Sequence, residues 1–172
     1  MSAEAYERSL RAIEQVIADE TESDEILRRA VDLLHDGFES YSWVGVYFVE
    51  GEELALGPWN GPEATEHVRI PIGQGVCGSA AASGRTEIVE DVNADSRYLA
   101  CFASTRSEIV VPISYDGLVV AEIDIDSDRP AAFGDGDRRF LERVAELLSP
   151  YCLVGWDTGG VPWESPGAEA GT

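Results

Sequence analysis

Apolar residues recur at helical spacing in two stretches near the N-terminus. Leu10, Ile13, Val16 and Ile17 form the first stripe and Ile26, Leu27, Ala30, Val31 and Leu34 the second, which predicts two amphipathic helices. Thr21, three residues before Asp24, resembles a helix-start box with an acid in place of the usual Glu or Gln. The pattern changes at Tyr41. Trp43 to Val49 is β-branched and aromatic, Glu50-Gly51-Glu52 is a turn, and Leu54 to Leu56 continues, which together predict a β-hairpin. Gly57, Pro58, Asn60, Gly61 and Pro62 then read as a break in regular structure. From Val68 a short strand runs into Gly73-Gln74-Gly75-Val76-Cys77-Gly78, Ser79 to Ala82 suits a short helix, and Ile88 and Val89 predict a brief strand. Asp91 to Thr105 has no periodicity, and a loop of that length inside a compact domain is usually functional or mobile.

Ser107 to Ser114 and Leu118 to Asp126 give the clearest strand signals, joined through the tight-turn pair Asp116-Gly117. A last helix is predicted from about Asp135 to near Trp156, with Phe140, Leu141, Val144, Leu147 and Leu148 as its stripe. Helices at both ends of an antiparallel sheet make the fold α+β. Residues 1–156 read as one domain, and 157–172 as an acidic, Gly- and Pro-rich tail expected to be disordered.

Composition narrows the partners. The chain has 172 residues, with 33 Asp and Glu against 12 basic residues, a formal net charge of -21; every basic residue is Arg. With 44% hydrophobic and 9% aromatic residues there is enough apolar surface for a core, so the charge does not imply disorder. It does exclude nucleic acid and anionic membrane as natural partners, since both are held by Lys and Arg. No apolar run approaches the roughly 18 residues of a membrane helix. The first residues lack the basic and apolar regions of a secretion signal, which predicts a cytoplasmic protein. Codon bias accounts for Arg without Lys but not for the acids, and a salt-rich, halophilic cytoplasm would account for both.

Chemistry has few carriers. The 3 Cys and 2 His stand at no zinc-like spacing, so the sequence predicts no metal site. Cys152 falls near the stripe of the last helix and reads as a small buried hydrophobe. Cys77 sits at the mouth of a predicted helix, where free amide N–H groups would lower its pKa, and Cys101 lies in the long loop. On the residues alone either thiol is inert or reactive. Alternation along the last strand puts Glu122, Asp124 and Asp126 on one face, opposite Ala121, Ile123 and Ile125. Asp is disfavoured in strands, so this face is either solvated surface or a site for a cationic group.

Trp43-Val44-Gly45-Val46-Tyr47, Leu56-Gly57-Pro58-Trp59, Arg69-Ile70-Pro71, Gly75-Val76-Cys77-Gly78, Asp91-Val92, Ala100-Cys101, Ser107 to Pro112 and Asp124-Ile125-Asp126-Ser127 occur in that order. The ordered set resembles the free methionine-(R)-sulfoxide reductases, stand-alone members of the GAF domain superfamily. The resemblance implies a GAF-like fold, a central antiparallel sheet with the terminal helices on one face and a ligand pocket on the other, usually in a homodimer. It also implies that Cys101 attacks a sulfoxide, with Cys77 as second thiol and Glu108, Asp124 and Asp126 as pocket carboxylates. Trp43, Tyr47 and Trp59 match the family's aromatic positions.

Free methionine sulfoxide carries an ammonium group that an acidic sheet face would cradle. No bound cofactor is then needed, only an external thioredoxin-like dithiol. Two departures stand out: His67 where the family usually has a further, commonly resolving Cys, and Phe102 where it usually has Asp. Three readings follow. One is an enzyme in which Cys77 resolves Cys101, the second a non-catalytic GAF domain sensing a small ligand or redox state, and the third a structural dimer or subunit.

Overall fold

The computed structural model describes residues 2–100 and 102–156. Helix α1 (Ala3–Asp19) starts where the Ser2 side chain accepts from the Ala5 N–H, and turns Ile13 and Val16 inward. Helix α2 (Ser23–Gly37) buries its predicted stripe from Ile26 to Leu34. The helix-start box at Thr21 does not form. The cap is Glu22, without a side-chain hydrogen bond, and Asp24 and Glu25 favour the helix start through its dipole instead.

Strands β1 (Trp43–Glu50), β2 (Glu53–Asn60), β3 (Arg69–Pro71), β4 (Glu87–Val89), β5 (Ser107–Tyr115) and β6 (Leu118–Ser127) form one sheet in the order β3-β2-β1-β6-β5-β4. Neighbouring strands are antiparallel throughout. The expected break at Gly57 and Pro58 is instead a β-bulge inside β2. Gly45 pairs with Trp59 and Tyr47 with Leu56, so Gly57 and Pro58 together face Val46 alone. A bulge tolerates a proline that donates nothing to the ladder. It also moves the alternation by one residue, so that Trp59 joins Leu54 and Leu56 on one face. Asp116 and Gly117 take the positive φ values, 49° and 79°, that the predicted tight turn requires.

Helix α3 (Gly75–Ser83) begins four residues earlier than the alanine run suggests, and so contains Cys77. Helix α4 (Asp135–Leu148) carries the predicted apolar stripe but stops well short of Trp156; a 3-10 helix (Ser149–Trp156) follows. Pro150 has no N–H to bond back along an α-helix, and the chain tightens there. Residues 157–172, the expected tail, lie outside the described residues, as does Cys101.

Two cores lie on opposite faces of the sheet. Helices α2 and α4 pack Leu27, Leu34, Phe140 and Leu141 against Val44, Val111, Ile123 and Ile125, and α1 packs on α2 and α4. On the other face, Val76, Cys77 and Ala80 of α3 pack with Trp43, Tyr47, Val110 and Phe102. The arrangement is α+β, with the terminal helices on one side as expected. Among the described residues, no helix is long and apolar enough to cross a membrane.

Candidate active site

The α3 face of the sheet carries the candidate chemistry, and register fixes its layout. Trp43, Gly45 and Tyr47 of β1 stand opposite Asp126, Asp124 and Glu122 of β6. On the other side of β6, Glu108 of β5 pairs with Asp126 and Val110 with Asp124. The face that alternation assigned to Glu122, Asp124 and Asp126 is therefore interior rather than solvated. Their exposures are 0%, 1% and 2%, and that of Glu108 is 4%. Small residues make this possible: α3 presents Cys77, Ala80 and Ala81, which let its backbone approach the sheet. A Cβ on Gly78 would lie 2.6 Å from the Pro71 carbonyl oxygen, so only glycine fits the contact between α3 and the segment after β3.

Burial dominates the electrostatics, and Cys77 beside Glu122 and Asp124, and Thr105 beside Asp126, offset only part of it. Glu108 Oε2, both oxygens of Glu122, Asp124 Oδ1 and both oxygens of Asp126 accept no hydrogen bond. Desolvation pushes the carboxyl of Asp124 up to about 7. It raises Glu108, Glu122 and Asp126 well above the ordinary carboxylate range, with Asp124's charge adding to each.

Cys77 is 5% exposed, and its thiol donates to Glu108 Oε1 across 3.8 Å. Its pKa is raised, not lowered as a helix-mouth position suggests, because burial and the charges of Asp124, Glu122 and Glu108 all disfavour a thiolate. Cys152 is buried on the opposite face, as expected, and burial alone pushes its thiol up to about 12. Spacing along the chain predicts no metal site, yet the fold brings ligand atoms of Cys77, Glu108 and Asp124 within 4.8 Å of one another.

Aromatic rings line the other end of the site. Trp43 stacks on Trp59 with centroids 6.1 Å apart and planes at 14°, and Phe102 tilts against Trp43 at 5.7 Å. Trp43 is nearly fully buried, and its indole Nε1 donates to nothing. Its ring fills space left by two glycines: a Cβ on Gly45 or on Gly61 would sit 2.3 Å from a ring carbon. The Tyr47 hydroxyl donates to the His67 carbonyl oxygen at 2.8 Å, and His67 Nε2 lies 3.3 Å from the Ala100 carbonyl oxygen. His67 thus ties the rim to the residue before Cys101.

Glu108, Asp124, Asp126, Cys77, Trp43, Tyr47 and Trp59 therefore come together on one face, while Cys101 lies outside the described residues. Sequence reasoning put Glu122 on the candidate cation-binding face without making it a site residue, and gave no role to Gly45 or Gly61. Alternation already grouped Glu122 with the two Asp residues, and a glycine inside an aromatic strand signals a close approach. Gly61 has no such signal, because it sits in a run of turn residues.

Comparison with known proteins agrees with this fold. The GAF domain family matches residues 20–150. Protein YtsP of Bacillus subtilis is 41% identical over 145 residues, covering 83% of this chain and 88% of that protein. The free methionine-R-sulfoxide reductase of Escherichia coli is 34% identical over 145 residues, with coverages of 84% and 87%. The structure of free methionine-R-sulfoxide reductase from Neisseria meningitidis in complex with its substrate superposes with a TM-score of 0.81 at 40% identity, covering 88% of this chain and 92% of that one. Fold and identity over most of the chain agree, and the chain belongs to the GAF domain family, among its free methionine-R-sulfoxide reductases.

Proposed function

We propose that this chain reduces free L-methionine (R)-sulfoxide to methionine with Cys101 as the attacking thiol and Cys77 as the resolving one. The observation that carries the reading is the group of four buried carboxyls, Glu108, Glu122, Asp124 and Asp126, with six unpartnered oxygens beside a thiol and an aromatic wall. Such a group lacks a cation, and the ammonium of a free amino acid supplies one. Asp124 and Asp126 hold the ammonium, while Trp43, Tyr47 and Trp59 hold the methyl-sulfur end. The free Nε1–H of Trp43 is a donor for an oxygen of the ligand.

In the first step the Cys101 sulfur attacks the sulfoxide sulfur. The new S–S bond is transient: the oxygen passes to the Cys101 sulfur as the bonds from the sulfoxide sulfur to oxygen and to Cys101 both break, which leaves Cys101 as a sulfenic acid and releases methionine. Glu108, whose carboxyl burial raises well above the ordinary range, is the acid that protonates the oxygen as it departs, and it takes back the proton that the Cys101 thiol gives up. In the second step the Cys77 sulfur attacks the sulfenic acid, releasing water and forming a disulfide. An external thioredoxin-like dithiol returns both thiols to the reduced state and is itself oxidised. No bound cofactor takes part.

One observation favours a second reading, a non-catalytic domain that senses a small ligand or redox state: the Cys77 thiol is raised by burial among carboxyls, which slows its attack. Turnover separates the two. The protein is incubated with methionine-(R,S)-sulfoxide and dithiothreitol, and again with thioredoxin and its reductase, while methionine and the remaining epimer are followed. The enzyme reading expects loss of the R epimer only, none with Cys101→Ser, and dithiothreitol-dependent but not thioredoxin-dependent turnover with Cys77→Ser. Absence of methionine formation by the unaltered protein favours the sensor. A homodimer is part of the same proposal, and sedimentation checks it.

A further inference from the structure

We infer that Cys77, Glu108 and Asp124 form a binding site for a thiophilic divalent cation of the zinc class. Their ligand atoms lie within 4.8 Å of one another, and Cys77 Sγ is 3.8 Å from Glu108 Oε1. A tetrahedral metal with bonds of about 2.3 Å to sulfur and about 2.1 Å to oxygen sets those two ligands about 3.6 Å apart, so Cys77 and Glu108 already stand near metal spacing, and the wider three-ligand span closes with side-chain shifts of about 1 Å.

The three ligands come from separate rigid elements, the first turn of α3, β5 and β6, which hold them without a loop. Independently of the spacing, Glu108 Oε2 and Asp124 Oδ1 are buried without a partner, and both oxygens of Glu122 stand unpartnered on the same face. None of the ion pairs among the described residues involves Glu108, Glu122, Asp124 or Asp126. A lone sulfur among carboxylates selects zinc or cadmium over magnesium or calcium, which prefer all-oxygen shells. Three protein ligands leave the fourth position of a tetrahedron open.

Occupancy has a chemical consequence that rests on the proposed function. A metal on Asp124 occupies the ammonium cradle, and a metal on Cys77 removes the resolving thiol, so the cation acts as a reversible block of both steps.

Binding is tested on the full chain, reduced with a phosphine and freed of metal. Cadmium is titrated while the ultraviolet thiolate-to-cadmium charge-transfer band is followed, and zinc is counted by equilibrium dialysis. One equivalent per chain is expected, with a band that Cys77→Ser abolishes and that Cys101→Ser and Cys152→Ser retain. Asp124→Asn removes a direct ligand, so its affinity loss should exceed the roughly 10- to 100-fold that loss of an outer-shell partner costs.

No band, a band that survives Cys77→Ser, or one lost with Cys101→Ser overturns the site. If Cys77→Ser does not fold by circular dichroism, Asp124→Asn decides alike: undiminished binding overturns the inference. Repeating the titration with methionine sulfoxide present separates this inference from the proposed function. A metal that binds but is not displaced leaves the cation site standing and counts against the sulfoxide as ligand.

Discussion

Asp124 is buried beside Glu108, Glu122 and Asp126, and its carboxyl titrates near 7 in the folded chain against about 3.9 when unfolded. The folded state therefore binds the extra proton. Its stability contribution is complete below about pH 4 and is lost as pH rises through 7, about 4 kcal/mol for this group alone. Thermal melts of the ligand-free protein should show a midpoint that falls across that window. Asp124→Asn should flatten the profile, gaining stability at pH 8 and nothing at pH 4; an unchanged slope would refute the assignment. Gly45 acts through shape instead. A methyl group there displaces the Trp43 ring, so Gly45→Ala should weaken methionine sulfoxide binding at least tenfold, about 1.4 kcal/mol, and shift the tryptophan emission, both read in one fluorescence titration. The three acids of β6 were legible because alternation in a strand is strict. Their meeting with Cys77 was implied by the family resemblance alone and not by the local pattern, because α3 is built of small residues and has no polar side to betray which face turns inward.

Helix α4 and β2 show how local rules and tertiary contacts divide the work. The Asp137 carboxylate accepts from the Gly134 N–H at 3.0 Å and from the hydroxyls of Tyr6 and Tyr41 at 3.0 and 2.9 Å. One side chain thus caps α4 and fastens it to α1 and to the entry of β1. Asp137→Ala leaves buried hydroxyls unsatisfied and should cost about 3 kcal/mol in urea unfolding, with ligand affinity unchanged because the contact lies across the sheet from the site. Gly78→Ala should cost about 1–3 kcal/mol by overpacking, and should impair binding as well, since α3 must back away from the sheet. The amphipathic helices and the Asp116-Gly117 hairpin were readable because each is specified within a few residues. The bulge in β2 was not: glycine and proline mark a break in one dimension, and only the partner strand reveals that they interrupt the ladder for one position.

Charge over the entire chain falls into two populations. Twelve Arg cannot neutralise 33 acids, and the ion pairs described, such as Arg69 with Glu50 and Arg97 with Asp95, lie on the half-exposed surface. Salt shortens the reach of the remaining repulsion from about 10 Å at 0.1 M to about 3 Å at 1 M. The melting temperature should rise over that range at pH 8, and the pH dependence due to Asp124 should persist in high salt because a buried group is screened far less. A melting temperature that falls with salt would contradict a surface limited by self-repulsion. The order of strands has a kinetic corollary. The β1–β2 and β5–β6 hairpins close locally, whereas Trp43 meets Asp126 only when β1 docks on β6 across the intervening chain. The four carboxyls meet within the locally closed β5–β6 hairpin, and their mutual repulsion is sealed from water when the tryptophan that walls them in arrives by the most nonlocal closure of the sheet. Relieving that repulsion should then speed refolding chiefly to the extent that this docking is formed at the barrier, which chevron plots of Asp124→Asn would read directly.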